Sequence, residues 1–198
     1  MNDIIIIDDA IPKVRQLEIE EMCTNPMFKW SFLPNSVKED DINQYRARVT
    51  EHSLAVPQLG ASLYSQNEAI PEFVTMVPIL SALPYTIGFL TKIKITMTLP
   101  AAGATELTYG MPHVDFPNTP ENMTAIYYVN DTDGDTVIFN EEYGHQGQLT
   151  EKKRISPKQG RLIVFDGKLM HAGNYPTKNN PRIIANINFV PYGDNKWL

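Results

Sequence analysis

The sequence predicts a mainly β protein with flanking helices, in which an antiparallel sandwich or barrel carries helices on its outside. A series of short strand-like segments, spaced by turn clusters, fills the chain beyond residue 90. One of them, Lys-Ile-Lys-Ile-Thr-Met-Thr-Leu at 92–99, alternates strictly and puts Ile93, Ile95, Met97 and Leu99 on one face. Helical patterns occur only before residue 90, so helices are expected to pack on the outside of one sheet.

Taken in order, Ile4-Ile5-Ile6-Ile7 reads as a buried strand, because four β-branched residues in a row suit a sheet. Ile11-Pro12 then opens a helix running to about Cys23, with Val14, Leu17, Ile19 and Met22 at helical spacing, Asp9 as cap and Pro12 in the first turn. Between Asn25 and Ala61 the pattern is irregular, with Trp30, Phe32, Tyr45 and three prolines, and short strands and loops are expected. A second helix is predicted over 68–83, bent or ended by Pro78, with Leu80 and Leu83 facing the core. After 92–99, strands are expected at 106–109, 124–129, 136–139, 148–152, 161–165, 169–172 and 182–190, with turns at 130–134 and 174–181. The length suits a single domain over 1–198, with 1–90 as N-terminal strand and supporting helices and 91–198 as the β core.

The 198 residues carry 17 Lys and Arg against 23 Asp and Glu, a formal net charge of −6. That balance disfavours extended binding to a phosphate backbone. The lone Cys23 forms no intrachain disulfide, and no run is apolar enough for a signal peptide or a membrane span, so a soluble cytoplasmic protein is expected.

His113-Val114-Asp115 is the first chemical signal. In an extended segment, residues two apart project to one side, so this imidazole and this carboxylate can converge. His171, after the turn at Asp166-Gly167, is the best third ligand and is expected to start or end a neighbouring strand. Two histidines and one carboxylate on one face of a metal leave positions open for a co-substrate and O₂. The same residues also read as a local hydrogen-bonded pair beside an ordinary half-buried histidine. Arg182 opens the strand Arg-Ile-Ile-Ala-Asn-Ile-Asn-Phe, whose alternation sets Arg182, Ile184, Asn186 and Asn188 on one face. A guanidinium there either grips a carboxylate in bidentate fashion or stands at an exposed edge beside an acidic neighbour. In 124–130, Ile126, Tyr128 and Asn130 share one side, so one of the two adjacent tyrosines can face a pocket while Tyr127 faces away.

At this point the chain resembles the prolyl 4-hydroxylase-like branch of the 2-oxoglutarate/Fe(II)-dependent dioxygenases. The resemblance runs through His-Val-Asp-x-Pro-Asn at 113–118, Ile-Tyr-Tyr-Val-Asn at 126–130 and Gly-Asp-Thr-Val-Ile-Phe at 134–139. It continues through Gly-Arg-Leu-Ile-Val-Phe at 160–165, His171 and Arg182, and so covers about 92–192. It implies a double-stranded β-helix (jelly-roll) core with Fe(II) held by His113, Asp115 and His171. It further implies that Arg182 binds the distal carboxylate of 2-oxoglutarate, with Tyr128 adding a hydrogen bond and Ile126 lining the pocket. Asn186 and Asn188 are further contacts on the cavity side. The chain departs from that branch in having Leu99 before Pro100, a longer loop from Ala101 to Pro112 and a wider spacing from His171 to Arg182.

The implied reaction decarboxylates 2-oxoglutarate to succinate and CO₂ with O₂ and hydroxylates a C–H bond, of a prolyl or other peptide residue or of a small molecule. Asp115 leaves no vacant ligand position for a halide. A nucleic-acid demethylase of the same superfamily would carry a second arginine where this chain has Asn188. A cupin-like metal-binding jelly roll without oxygenase activity is the alternative from another class, and a member that binds metal without turnover is a third. The protein is expected to be a monomer or homodimer, with no nucleic-acid or membrane partner. His52 and His145 read as surface residues, and the acidic run Asp131, Asp133, Asp135 as a solvated turn.

Overall fold

The computed structural model describes residues 4–34, 47–178 and 180–193; Tyr45 lies outside them. In chain order the elements are β1 (Ile5–Ile7), α1 (Lys13–Thr24), β2 (Ser31–Leu33), β3 (Gln58–Ser65) and β4 (Glu68–Ala69), then a 3-10 turn (Pro71–Met76) leading into α2 (Val77–Ser81). There follow β5 (Ile87–Thr98), β6 (Met123–Tyr128), β7 (Thr136–Glu142), β8 (Glu151–Ile155), β9 (Leu162–Asp166), β10 (Leu169–Gly173) and β11 (Arg182–Pro191).

Eight strands form a major sheet in the order β1-β9-β6-β11-β5-β3-β2, with β4 paired to β3, and β10-β7-β8 form a second sheet. Every pairing among these strands is antiparallel. Strand alternation divides the apolar residues between two layers. One row of the major sheet, including Ile93, Ile95, Tyr127, Val164, Ile183, Ile187 and Phe189, packs on Ile19 and Cys23 of α1 and on Met76 and Ile79. The opposite row, Ile126, Tyr128, Ile163, Phe165 and Ile184, packs on Ile138, Ile155 and Leu169 of the second sheet. The result is the jelly roll, with helices covering one outer face and a cavity between the sheets where β5, β6, β10 and β11 meet. The alternation expected for β5, β6 and β11 is the one observed.

Several local expectations need correction. The first strand is an edge strand paired only with β9, and Ile6 stays exposed. α1 forms as expected but turns Gln16, Ile19 and Cys23 inward, leaving Val14 and Leu17 exposed. Gln16 earns its buried place with a hydrogen bond from Nε2 to the Ile11 carbonyl (2.9 Å). Its carboxamide fills the space a Cβ at Gly160 would occupy, and Gly160 itself has φ +82. Pro12 is the N-cap of α1, and no side chain, Asp9 included, caps it.

The helix expected over 68–83 is broken into β4, the 3-10 turn and α2. Pro71 and Pro78 each stand at the start of one helical segment, where a missing N–H costs nothing, and so the chain restarts at each. Leu83 is buried and Leu80 packs against the core as expected, while Leu99, just past β5, is exposed. No strand forms over 106–109, because Thr105 and Thr108 close a local turn through Thr105 N to Thr108 Oγ1 (2.9 Å) and Thr108 N to Thr105 O (2.9 Å). β8 starts at Glu151, later than expected, since the Glu141 carboxylate accepts from Thr150 N (2.8 Å) and Oγ1 (2.6 Å).

Candidate metal centre

His113 and Asp115 lie on an extended segment that docks against β10. His113 N donates to His171 O and His171 N to His113 O, both at 3.0 Å, so the two histidines face each other across one narrow bridge. His171 sits in the middle of β10, not at its start or end. Their rings are 4.8 Å apart, and Phe165 meets the His171 ring edge-on at 5.1 Å. The imidazole and carboxylate ligand atoms of His113, Asp115 and His171 all lie within 4.8 Å of one another.

Each ring is oriented from behind. His113 Nδ1 lies 2.8 Å from the Met111 carbonyl, and His171 Nδ1 lies 3.1 Å from the Leu169 carbonyl. A carbonyl only accepts, so each Nδ1 carries the proton and each Nε2 presents a lone pair toward Asp115. The Nε2 atoms are 3.9 Å (His113) and 3.6 Å (His171) from the Asp115 oxygens. His171 Nε2 is buried with no hydrogen-bond partner, which is costly for a polar atom unless something else binds it. Burial and the neighbouring His171 hold the His113 pKa down despite the pull of Asp115, favouring the neutral ring a metal needs. For Asp115, burial raises the pKa, but the facing imidazoles, His171 before His113, and a hydrogen bond from Asn188 outweigh it, holding the carboxyl well below its usual range. These donors fit a divalent cation of the ferrous type.

Asn186 and Asn188 reach the same carboxylate. Their Nδ2 atoms donate to Asp115 Oδ2 at 3.0 and 2.9 Å, and Asn188 Nδ2 also contacts Thr124 Oγ1 at 3.2 Å. They orient Asp115, a role not visible in the sequence, where both read only as contacts on the cavity side.

Arg182 stands at the other end of the same face of β11. It is 4% exposed, so the exposed-edge reading falls away. Its Nε donates to the Gly134 carbonyl (2.6 Å) and its Nη2 to Thr136 Oγ1 (2.8 Å), while the guanidinium borders the cavity. Gly173 leaves the room: a Cβ there would lie 3.0 Å from Arg182 Cζ. Burial lowers the pKa of this guanidinium, with Tyr128 and Asp135 pulling the other way. Tyr128 is wholly buried, and its hydroxyl donates to Thr136 Oγ1 (2.7 Å), so it supports the cavity wall from behind. Burial pushes its pKa up to about 12, which keeps it a donor. Ile126 lines the cavity as expected.

The cavity holds about 220 Å³, and its wall includes Gln58, Lys92, Lys94, Thr96, Thr98 and Thr136, none of which stood out in the sequence. Four of them are the alternate row of β5, opposite Ile93 and Ile95, so the alternation already contained them. Burial and the charge of Lys92 lower the Lys94 pKa, against the pull of Asp115. From outside, the 47–53 segment braces the site: Ala47 bridges His113, and Arg48 bonds the carbonyls of His145, Gln146 and Gly147. His52 and His145 are exposed. In the acidic turn, Asp131 accepts from Gln159 N and Asp133 from Thr177, locking loops together.

Two imidazoles and a carboxylate converging in a jelly roll, with a buried arginine on the same cavity wall, are the donor set that non-haem Fe(II) oxygenases use. Residues 105–190 match the model of the 2OG-Fe(II) oxygenase superfamily. That stretch carries the three candidate ligands and Arg182, so in fold, triad and match the chain is similar to the 2-oxoglutarate-dependent dioxygenases that use Fe(II). No curated protein matches it in sequence. Among solved structures, a prolyl hydroxylase from Trichoplax adhaerens in complex with a hypoxia inducible factor oxygen degradation domain peptide is 16% identical, with TM-score 0.60 over 96% of this chain and 84% of that one. An oxidoreductase of the 2OG-Fe(II) oxygenase family from Burkholderia pseudomallei is 11% identical, with TM-score 0.62 over 98% and 89%. The epimerase SnoN, in complex with Fe3+, alpha ketoglutarate and nogalamycin RO, is 9% identical, with TM-score 0.56 over 96% and 79%. At these identities the likeness is one of fold. No helix among the described residues is long and apolar enough to cross a membrane.

Proposed function

We propose that the protein hydroxylates a C–H bond of a small molecule or of one peptide residue, prolyl or other, using 2-oxoglutarate and O₂ and releasing succinate and CO₂. His113, Asp115 and His171 hold the iron, and Arg182 grips the distal carboxylate of the keto acid. When bound, the iron supplies the redox chemistry that couples decarboxylation to oxygen insertion. One observation carries the reading: a nearly fully buried guanidinium shares a cavity with the three converging ligand atoms. A buried cation is costly without an anion beside it, and a site that binds metal alone has no need of one.

The protein's own residues bind and orient. Arg182 presents a fork to a carboxylate, fixed by Gly134 and by Thr136 with Tyr128 behind it. Asn186 and Asn188 hold Asp115, and the carbonyls of Met111 and Leu169 hold the imidazoles, so the ligand set is assembled before a metal arrives. The apolar layer between the sheets keeps water from the inner wall. We read 1–198 as one unit, because β3 and β5 complete the sheet that carries β6 and β11. A substrate residue on a peptide accords with the peptide complex of the Trichoplax adhaerens prolyl hydroxylase.

The test is anaerobic addition of Fe(II) and 2-oxoglutarate, watching for the weak visible charge-transfer absorption of a chelated keto acid. The band should form in the native protein and vanish in His171→Ala. In Arg182→Ala it should need at least about tenfold more keto acid, the loss of one charged bidentate contact. Stoichiometric metal without a band would overturn the assignment and favour a cupin-like metal-binding jelly roll.

A further inference from the structure

The row of β11 that faces the cavity pairs residue by residue with β5. Arg182 stands opposite Thr98, Asn186 opposite Lys94 and Asn188 opposite Lys92. At about 3.4 Å per residue, Lys94 lies roughly 14 Å along the sheet from the level of Arg182. A keto acid held by Arg182 and the three candidate ligands would occupy that stretch, so the two lysines border the part of the cavity it would leave free. Both line the cavity, and neither has a hydrogen-bond or ion-pair partner among the described residues. Each is nonetheless held in place. The Lys94 stem crosses Gly60 of β3, where a Cβ would fall 3.0 Å from Lys94 Cε. Lys92 reaches over the Phe116 ring, with Nζ 6.0 Å from its centroid, beside the Asp115 segment.

Charge makes the placement informative. Asp115 is the sole carboxylate in the cavity wall among the described residues. With Fe(II) and 2-oxoglutarate bound, the metal and Arg182 balance the charges of Asp115 and the keto-acid dianion. The two ammonium groups are then left over, of one sign, on one side of a small cavity. Like charges so placed repel unless an anion joins them. Residues two apart on a strand project together, so a single carboxylate can span both. At about 220 Å³ the cavity also falls below the roughly 300–1,000 Å³ usual for drug-sized ligands.

We propose that the prime substrate is an anion, whose carboxylate docks on Lys92 and Lys94 and so presents a nearby C–H bond to the metal. This rests on the oxygenase reading above. The carboxylate belongs either to a free small acid, such as an amino or hydroxy acid, or to an acidic residue of a peptide.

The test is calorimetric titration of protein loaded with Zn(II) and 2-oxoglutarate, which binds without turnover. The probes are free L-amino acids and short hydroxy acids, the amides of the same compounds, and capped peptides with one internal Glu or Asp. Acids should bind and their amides should not, and Lys94→Met and Lys92→Met should each weaken the acids by about tenfold. Keto-acid affinity, read separately, should stay within about twofold in both variants, and circular dichroism should confirm that they fold. Binding of the free acids alone, or of the acidic peptides as well, decides the source of the carboxylate. Equal binding of acids and amides, no charge-selective binding at all, or Lys94→Met weakening 2-oxoglutarate as Arg182→Ala does, would each overturn the proposal. Failure of the native protein to bind 2-oxoglutarate would instead overturn the oxygenase reading, so the two failures are distinct.

Discussion

Asp115 is the most heavily attended side chain of the site. Two amide groups donate to one of its oxygens while two imidazoles crowd around the carboxylate. Partners behind a metal ligand typically contribute about 10- to 100-fold to metal affinity. Asn188→Ala should therefore weaken metal binding by about tenfold, with the keto-acid site otherwise intact. Competition for metal with a chromophoric chelator reads this directly; an unchanged affinity would reduce Asn188 to a packing residue. The residue scale is also where the sequence was least informative. His113-x-Asp115, His171 and Arg182 could be picked out because histidine and a strand-borne arginine are scarce and chemically pointed. Lys92 and Lys94 could not, since lysine is common on exposed strands and only the pairing of β5 with β11 turns this row inward, and Thr136 of β7 reaches the cavity from the second sheet.

Among the elements, β1 shows how a short edge strand is secured. It pairs only with β9, and beyond its end Asp8 accepts from Arg161 Nε (2.6 Å) and Nη2 (3.1 Å) and from Lys158 Nζ (3.2 Å). The Arg161 hydrogen bond, opposed by burial and helped by Lys158, lowers the Asp8 pKa to about 2. A carboxylate depressed in the folded state stabilises above its unfolded value near 3.8 and loses that contribution as pH falls toward about 2. The pair is substantially exposed, so its worth is at most about 1 kcal/mol. Asp8→Asn should therefore lower unfolding stability by up to that amount at pH 6, and the gap should narrow steadily as pH falls from about 4 to about 2, as followed by denaturant titration. A gap that persists at low pH would assign the effect to packing. Elements were legible where apolar residues alternate, as in β5, β6 and β11. They were misread where proline restarts a helix at Pro71 and Pro78, or where Thr105 and Thr108 bond their own backbone, because those outcomes depend on competing local hydrogen bonds.

At the scale of the whole molecule, the helix-side core and the site are two faces of one sheet. Ile187 is fully buried on the face opposite Asn186 and Asn188. Ile187→Ala should cost about 2–5 kcal/mol, seen as a lowered melting temperature. At temperatures where the variant is folded, metal affinity should remain near native; a loss of metal comparable to that in Asn188→Ala would show that the two faces are mechanically coupled. An antiparallel sandwich or barrel could be inferred from the count and spacing of strands, and the jelly roll only from the family resemblance, yet the wall built by β3 and β5 could not, since it joins segments far apart in the chain.

That division of β11 has a consequence for how the chain finds its native pairing. A slip of one residue would carry Arg182, Asn186 and Asn188 into the oily layer under the helices and push Ile183, Ile187 and Phe189 into the cavity. The strand that carries Arg182 and the two asparagines thereby also proofreads the sheet, since a misaligned copy would lose its core and its candidate site together.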